Sequence, residues 1–141
     1  MSDERLEEER LARIHRDRAT RDRAFTVESV RRLVHAFYDG VRSDPELGPI
    51  FEDIVGAGLG WPAHLEKMTR FWCAVLMHLP GYDGEPRAAH ARIPGLCPGH
   101  FDRWLALWRR CAHELFEEAP AAYLVERAER MDENFRRALF G

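Results

Sequence analysis

Between Pro80 and Gly99 the chain carries four prolines (80, 86, 94 and 98) and four glycines (81, 84, 95 and 99). Proline removes a backbone donor and clashes with the preceding turn, and glycine inside a helix costs about 1 kcal/mol relative to alanine. No long helix can run through such a stretch, and at most a turn over Arg87 to His90 survives. On either side of it apolar residues recur at helical spacing, and no period-two strand pattern or internal repeat is found. The chain is therefore expected to be all-α, with helices around an irregular segment of about 20 residues, a length compact domains seldom carry without a functional reason.

Thr26 is a plausible N-cap for a first core helix carrying Val27, Val30, Leu33, Val34, Phe37, Tyr38 and Val41. That helix must end before Asp44-Pro45, and Gly48-Pro49 then reads as a turn that throws Ile50 and Phe51 inward from a corner. Gly56 to Gly60 reads as a flexible break. Pro62 suits the first turn of a second helix, whose apolar face is Leu65, Met68, Phe71, Trp72, Val75 and Leu79. A third, from about Pro98, carries Phe101, Trp104, Leu105, Trp108, Cys111, Ala112 and Leu115 and stops around Glu118 to Pro120. Tyr123, Leu124, Ala128, Met131, Phe135 and Leu139 mark a fourth.

Residues 3–23 hold seven arginines and seven acids but only Leu6, Leu11 and Ile14 as large apolar residues. Too little apolar surface is present there to anchor a helix on a core, although i,i+4 Glu/Arg pairs could keep it helical in solvent. Residues 1–25 therefore read as a charged extension, either solvated or a partner-binding arm, and residues 26–141 as one domain.

A chain of 141 residues that is 45% hydrophobic and 11% aromatic can bury a real core. Its 24 acids and 21 Lys+Arg leave a net charge of -3, without the basic excess of a nucleic-acid binder. The longest apolar run, Phe71 to Met77, is far short of the roughly 20 residues that span a bilayer. With a charged N-terminus unlike a signal peptide, the expected location is the cytoplasm, without membrane contact. Cys73, Cys97 and Cys111 form no CxxC and are odd in number, so they read as buried small hydrophobes.

Four side chains could carry chemistry. His90, at the end of GYDGEPRAAH, sits in the irregular segment; taken alone, such a histidine is more often a surface residue than a metal ligand. His64 shares a helix face with Met68, Phe71, Trp72 and Val75, placing an imidazole at or near an apolar groove. Tyr38 lies at the buried edge of the first helix and Trp104 on the buried face of the third; each has a polar hydrogen needing a partner, structural or otherwise. An imidazole with a fixed tautomer is the usual axial ligand of haem iron, and a bound cofactor would fill the space a helix leaves vacant.

The runs FYDGVRSDPELGPIF (37–51), WPAHLEKMTRFW (61–72), GYDGEPRAAH (81–90) and HFDRWLALW (100–108), in this order and spacing, resemble the third group of truncated haemoglobins. The resemblance covers roughly residues 26–140. It implies a shortened globin, two helices over two, whose proximal helix is largely replaced by loop. It further implies haem b held by His90, the histidine of a P-x-x-x-H segment beginning at Pro86, as proximal ligand to iron. Tyr38 would be the distal tyrosine, His64 the distal histidine associated with gating, and Trp104 the pocket tryptophan donating from its indole. Phe51 would wedge the porphyrin, with Phe37 and Trp72 packed around it. Met68 stands where a branched aliphatic is common, and Lys67 would reach a haem propionate or simply be solvated.

A chain with this resemblance is expected to be a haem protein binding a small diatomic ligand: oxygen, nitric oxide or carbon monoxide. Nitric oxide dioxygenase or peroxidase-like turnover would require an external reductase, since no nicotinamide or flavin fingerprint is present. Two alternatives stand beside it, a cofactor-free helical interaction module and a haem-based sensor signalling through residues 1–25.

Overall fold

The computed structural model describes residues 2–58, 60–82, 84, 90, 93 and 95–141. Those residues form six main helices and no strand: α1 (Asp3–Ala24), α2 (Val27–Ser43), α3 (Leu47–Ala57), α4 (Trp61–Met77), α5 (Pro98–Leu115) and α6 (Glu118–Phe140). None of these is long and apolar enough to cross a membrane. Of the expected turn over Arg87 to His90 only His90 is among the described residues, in helical conformation; Pro86 to Ala89 lie outside them.

α2 starts where Thr26 predicts. Its hydroxyl accepts from the Ser29 N–H at 3.0 Å while the Ser29 hydroxyl accepts from the Thr26 N–H at 2.9 Å, a reciprocal capping box. It ends at Ser43 because Pro45 pushes Asp44 to extended backbone (φ -74°, ψ 129°). The segment beyond differs from the expected corner and flexible break, since residues Leu47–Ala57 are helical. Pro49 falls in the first turn, where its missing N–H is not needed. Asp44 caps that turn from across Pro45, one carboxylate oxygen accepting from the N–H groups of Glu46 and Leu47 at 2.9 Å each. Gly48 is there for space: a Cβ would lie 2.8 Å from the Arg42 carbonyl oxygen. The break thus shrinks to the link between Ala57 and Trp61, where Gly60 takes φ 86°. α4 stops two residues short of Leu79, because His78 turns left-handed (φ 56°) just before Pro80.

α2 lies against α3, α4 and α5, and α5 against α6, so the pair α2/α4 covers the pair α5/α6. The core forms where the pairs cross. Trp108, fully buried, donates its indole N–H to the Leu124 carbonyl at 3.0 Å and stacks on Trp72 with centroids 4.3 Å apart. Val30, Leu33, Val34 and Val41 pack around it from α2. At Gly40 the helices come so close that a Cβ would meet Leu107 at 3.2 Å. Two arginines tie the frame together: Arg103 of α5 donates from Nε to Asp44 at 3.0 Å, and Arg136 of α6 donates from Nη2 to Asp102 of α5 at 2.6 Å.

α1 has no buried residue. Its last turn rests on α6, with the Arg21 guanidinium 4.5 Å above the Tyr123 ring, and Phe25, the final residue of the expected extension, is buried against Phe116. Cys73 and Cys111 are buried, whereas Cys97 is exposed at the start of α5, contrary to its reading as a buried hydrophobe. Proline and glycine neighbours keep Cys97 at the surface, because the chain has not yet entered the helix that dives into the core.

Candidate functional site

α5 and α6 run side by side, and His90 lies against both. Its ring stacks on Phe135 of α6 at 4.5 Å between centroids and lies 6.4 Å from Phe101 of α5. His90, Phe101 and Phe135 line a narrow, solvent-open cleft together with Leu47, Ile50, Phe51 and Trp104. Ile93, Leu96 and His100 complete it. Apart from its two histidines and the Trp104 indole, the lining is hydrocarbon. Such a cleft suits a flat apolar guest anchored at one point by an imidazole.

Behind Phe51 lies a second, aromatic cage. Tyr38 meets His64 edge to face at 5.0 Å, and Phe51 and Trp61 each at 5.8 Å. The His64 ring is 6.4 Å from Phe51 and 5.6 Å from Trp61. Burial, reinforced by the Lys67 charge, pushes His64 down to about pH 4, so it is neutral near pH 7. Its Nε2 is buried with no hydrogen-bond partner among the described residues. Burial also pushes the Tyr38 phenol well above its ordinary range, which keeps its O–H as a donor. A buried polar atom without a partner costs about 1–3 kcal/mol, so the cage holds a donor and an orphaned nitrogen at the edge of the cleft at an energetic cost.

No family model matches the chain. A curated relative, the group 3 truncated hemoglobin ctb of Campylobacter jejuni, is 30% identical over 114 residues, 80% of this chain and 90% of the relative. The chain belongs to the group III truncated haemoglobins. The crystal structure of group III truncated hemoglobin from Campylobacter jejuni matches this truncated haemoglobin with a TM-score of 0.79 and 29% identity, over 82% of this chain and 92% of the other. The fold is that of a truncated globin, and the two-over-two arrangement of α2/α4 and α5/α6 is its frame.

Within that frame the residues singled out by sequence separate into layers. His90, Phe51 and Trp104 line one cleft. Tyr38 and His64 do not line it; they stand one ring behind, across Phe51. Phe37 and Trp72, expected around the porphyrin, are 2% and 4% exposed and sit deeper. Phe37 backs Trp104 edge to face at 5.8 Å, whereas Trp72 is committed to its stack on Trp108. Both are therefore packing behind the cleft rather than lining it. Met68 is half-buried and Lys67 exposed, and neither lines the cleft.

Besides the aliphatic lining of Leu47, Ile50, Ile93 and Leu96, sequence reasoning assigns no site role to four ring-bearing contributors. His100, Phe101 and Phe135 line the cleft, and Trp61 closes the cage while donating its indole N–H to Glu52 at 3.1 Å. For His100 a signal exists in the sequence, because it precedes Phe101 and stands four residues before Trp104, on one side of α5. In this truncated haemoglobin His100 Nδ1 accepts from the Cys97 N–H at 3.1 Å, which places the proton of the neutral ring on Nε2.

Proposed function

We propose that this truncated haemoglobin would hold haem b in the cleft, with His90 as the residue that binds its iron, and that it would take up diatomic gases, for which Tyr38, His64 and Trp104 would supply the polar groups. The observation that carries the reading is an imidazole walling an apolar cleft whose far side leads, across one phenyl ring, to a neutral histidine with an orphaned buried nitrogen. Those residues fit the group: an aromatic and aliphatic lining for a porphyrin, one imidazole for the metal, and polar hydrogens beyond it.

Bound haem supplies an iron centre able to take a small gas and exchange electrons. The chain does the rest. Stacking on Phe135 fixes the plane of the His90 ring. The hydrocarbon side chains of Leu47, Ile50 and Phe51 offer the guest an apolar surface, and a guest covering them would displace water and strengthen any hydrogen bond made beneath it. Tyr38 remains a protonated donor, the Trp104 indole can only donate, and neutral His64 presents one nitrogen in want of a partner. Donors of this kind suit retention of a polarised guest such as oxygen. Turnover of oxygen, nitric oxide or peroxide would draw electrons from an external reductase.

Titrating purified protein with haem tests the reading. Stoichiometric uptake should give an intense near-ultraviolet band that shifts under carbon monoxide in the ferrous state. A protein that never takes up haem would instead be the cofactor-free helical module.

A further inference from the structure

The N-terminal helix carries a pattern that, among the described residues, other elements of the chain engage only at its Arg21 end. Two series at heptad spacing run along α1: Glu4, Leu11 and Arg18, and, three residues on, Glu7, Ile14 and Arg21. Residues seven apart return to one side of a helix, and two such series offset by three form the narrow seam through which paired helices meet. Each series reads acid, aliphatic, base. Leu11 and Ile14 at its centre are 45% and 44% exposed, on a helix with no buried residue.

The charge of the helix is divided in the same sense. Residues 3–9 hold five acids and one arginine, and residues 10–23 six arginines and two aspartates. A parallel copy would set acid against acid. An antiparallel copy sets every layer against its complement: Glu4 faces Arg21, Glu7 faces Arg18, and Leu11 and Ile14 face each other across a two-fold axis. We propose that α1 is a self-complementary docking helix whose occupant is the α1 of a second copy of this chain, laid antiparallel along the 4-7-11-14-18-21 seam.

Arg18 has no ion-pair partner among the described residues, and Glu7 is engaged only by exposed Arg10 on its own helix at 3.1 Å. Arg21 already lies over Tyr123, which places the end of the seam against the globin body. Two symmetry-related apolar layers between exposed charge layers make a weak contact that salt should loosen. Haem plays no part in this contact.

Sedimentation velocity on the full chain, across concentration at low and high salt, tests it. Dimers are expected at low salt and monomers at high salt. Glu7→Arg should weaken dimerisation by roughly tenfold or more, since by symmetry it turns two attractive contacts repulsive. Adding Arg18→Glu to that variant should restore it. Leu11→Arg should leave a monomer, and circular dichroism will show whether each variant keeps its helix content. A wild type that is monomeric at every concentration and salt overturns the proposal, as does a dimer indifferent to Glu7→Arg or not rescued by Arg18→Glu.

Discussion

At the scale of single residues, His64 connects stability with the site. The free imidazole titrates near pH 6.5, and burial lowers it to about 4 in the folded chain. As pH falls through 6.5 the unfolded chain takes up a proton that the folded chain refuses until about pH 4, so stability declines across that window and levels off below it. Urea unfolding of wild type and His64→Leu should differ by a pH-dependent part on the order of 1 kcal/mol, after allowance for solvent screening, confined to that window. Parallel curves would mean that His64 is no more buried folded than unfolded. Tyr38 makes a separate prediction: in haem-loaded protein, Tyr38→Phe should speed oxygen dissociation several-fold, the effect of losing one hydrogen bond of about 1 kcal/mol. Stopped-flow mixing measures it, and an unchanged rate would leave retention to Trp104 and His64.

At the scale of elements, joints carry the architecture. Arg103 and the first turn of α3 both bind the Asp44 carboxylate, and together they outweigh burial and hold it below the usual carboxylate range. That contribution is present above the unfolded carboxyl's value of about 3.9 and is lost as pH falls through the lower folded value. Asp44→Asn should therefore destabilise by about 1–3 kcal/mol at neutral pH and much less in strong acid, read from urea midpoints. Gly40→Val should cost about 1–3 kcal/mol by wedging α2 off α5. α2 could be read from sequence because its cap and stop are local: Thr26 with Ser29 opens it and Pro45 closes it. α3 could not, because Gly48, Pro49 and Gly56 punctuate it like a loop while its cap comes from Asp44, beyond Pro45, and its support from α2. Periodicity registers neither the side-chain cap nor the tertiary support.

At the scale of the whole molecule, the order of α2, α4, α5 and α6 was legible, since apolar spacing marks each of them. Depth was not. Periodicity tells which face of a helix looks inward but not how many rings lie between that face and a cleft, so Tyr38 and His64 read as lining residues although Phe51 stands in between. Phe37 and Trp72 are placed around the porphyrin by the resemblance, not by periodicity; in the structure Phe37 packs on Trp108, which holds the space behind Trp104. The central claim is one imidazole on one metal, and it is tested most directly by His90→Gly loaded with haem and reduced, with and without added imidazole. Loss of the wild-type ferrous absorbance spectrum in the variant, and its return on adding imidazole, is the predicted result. A variant whose ferrous spectrum matches wild type without imidazole would contradict it.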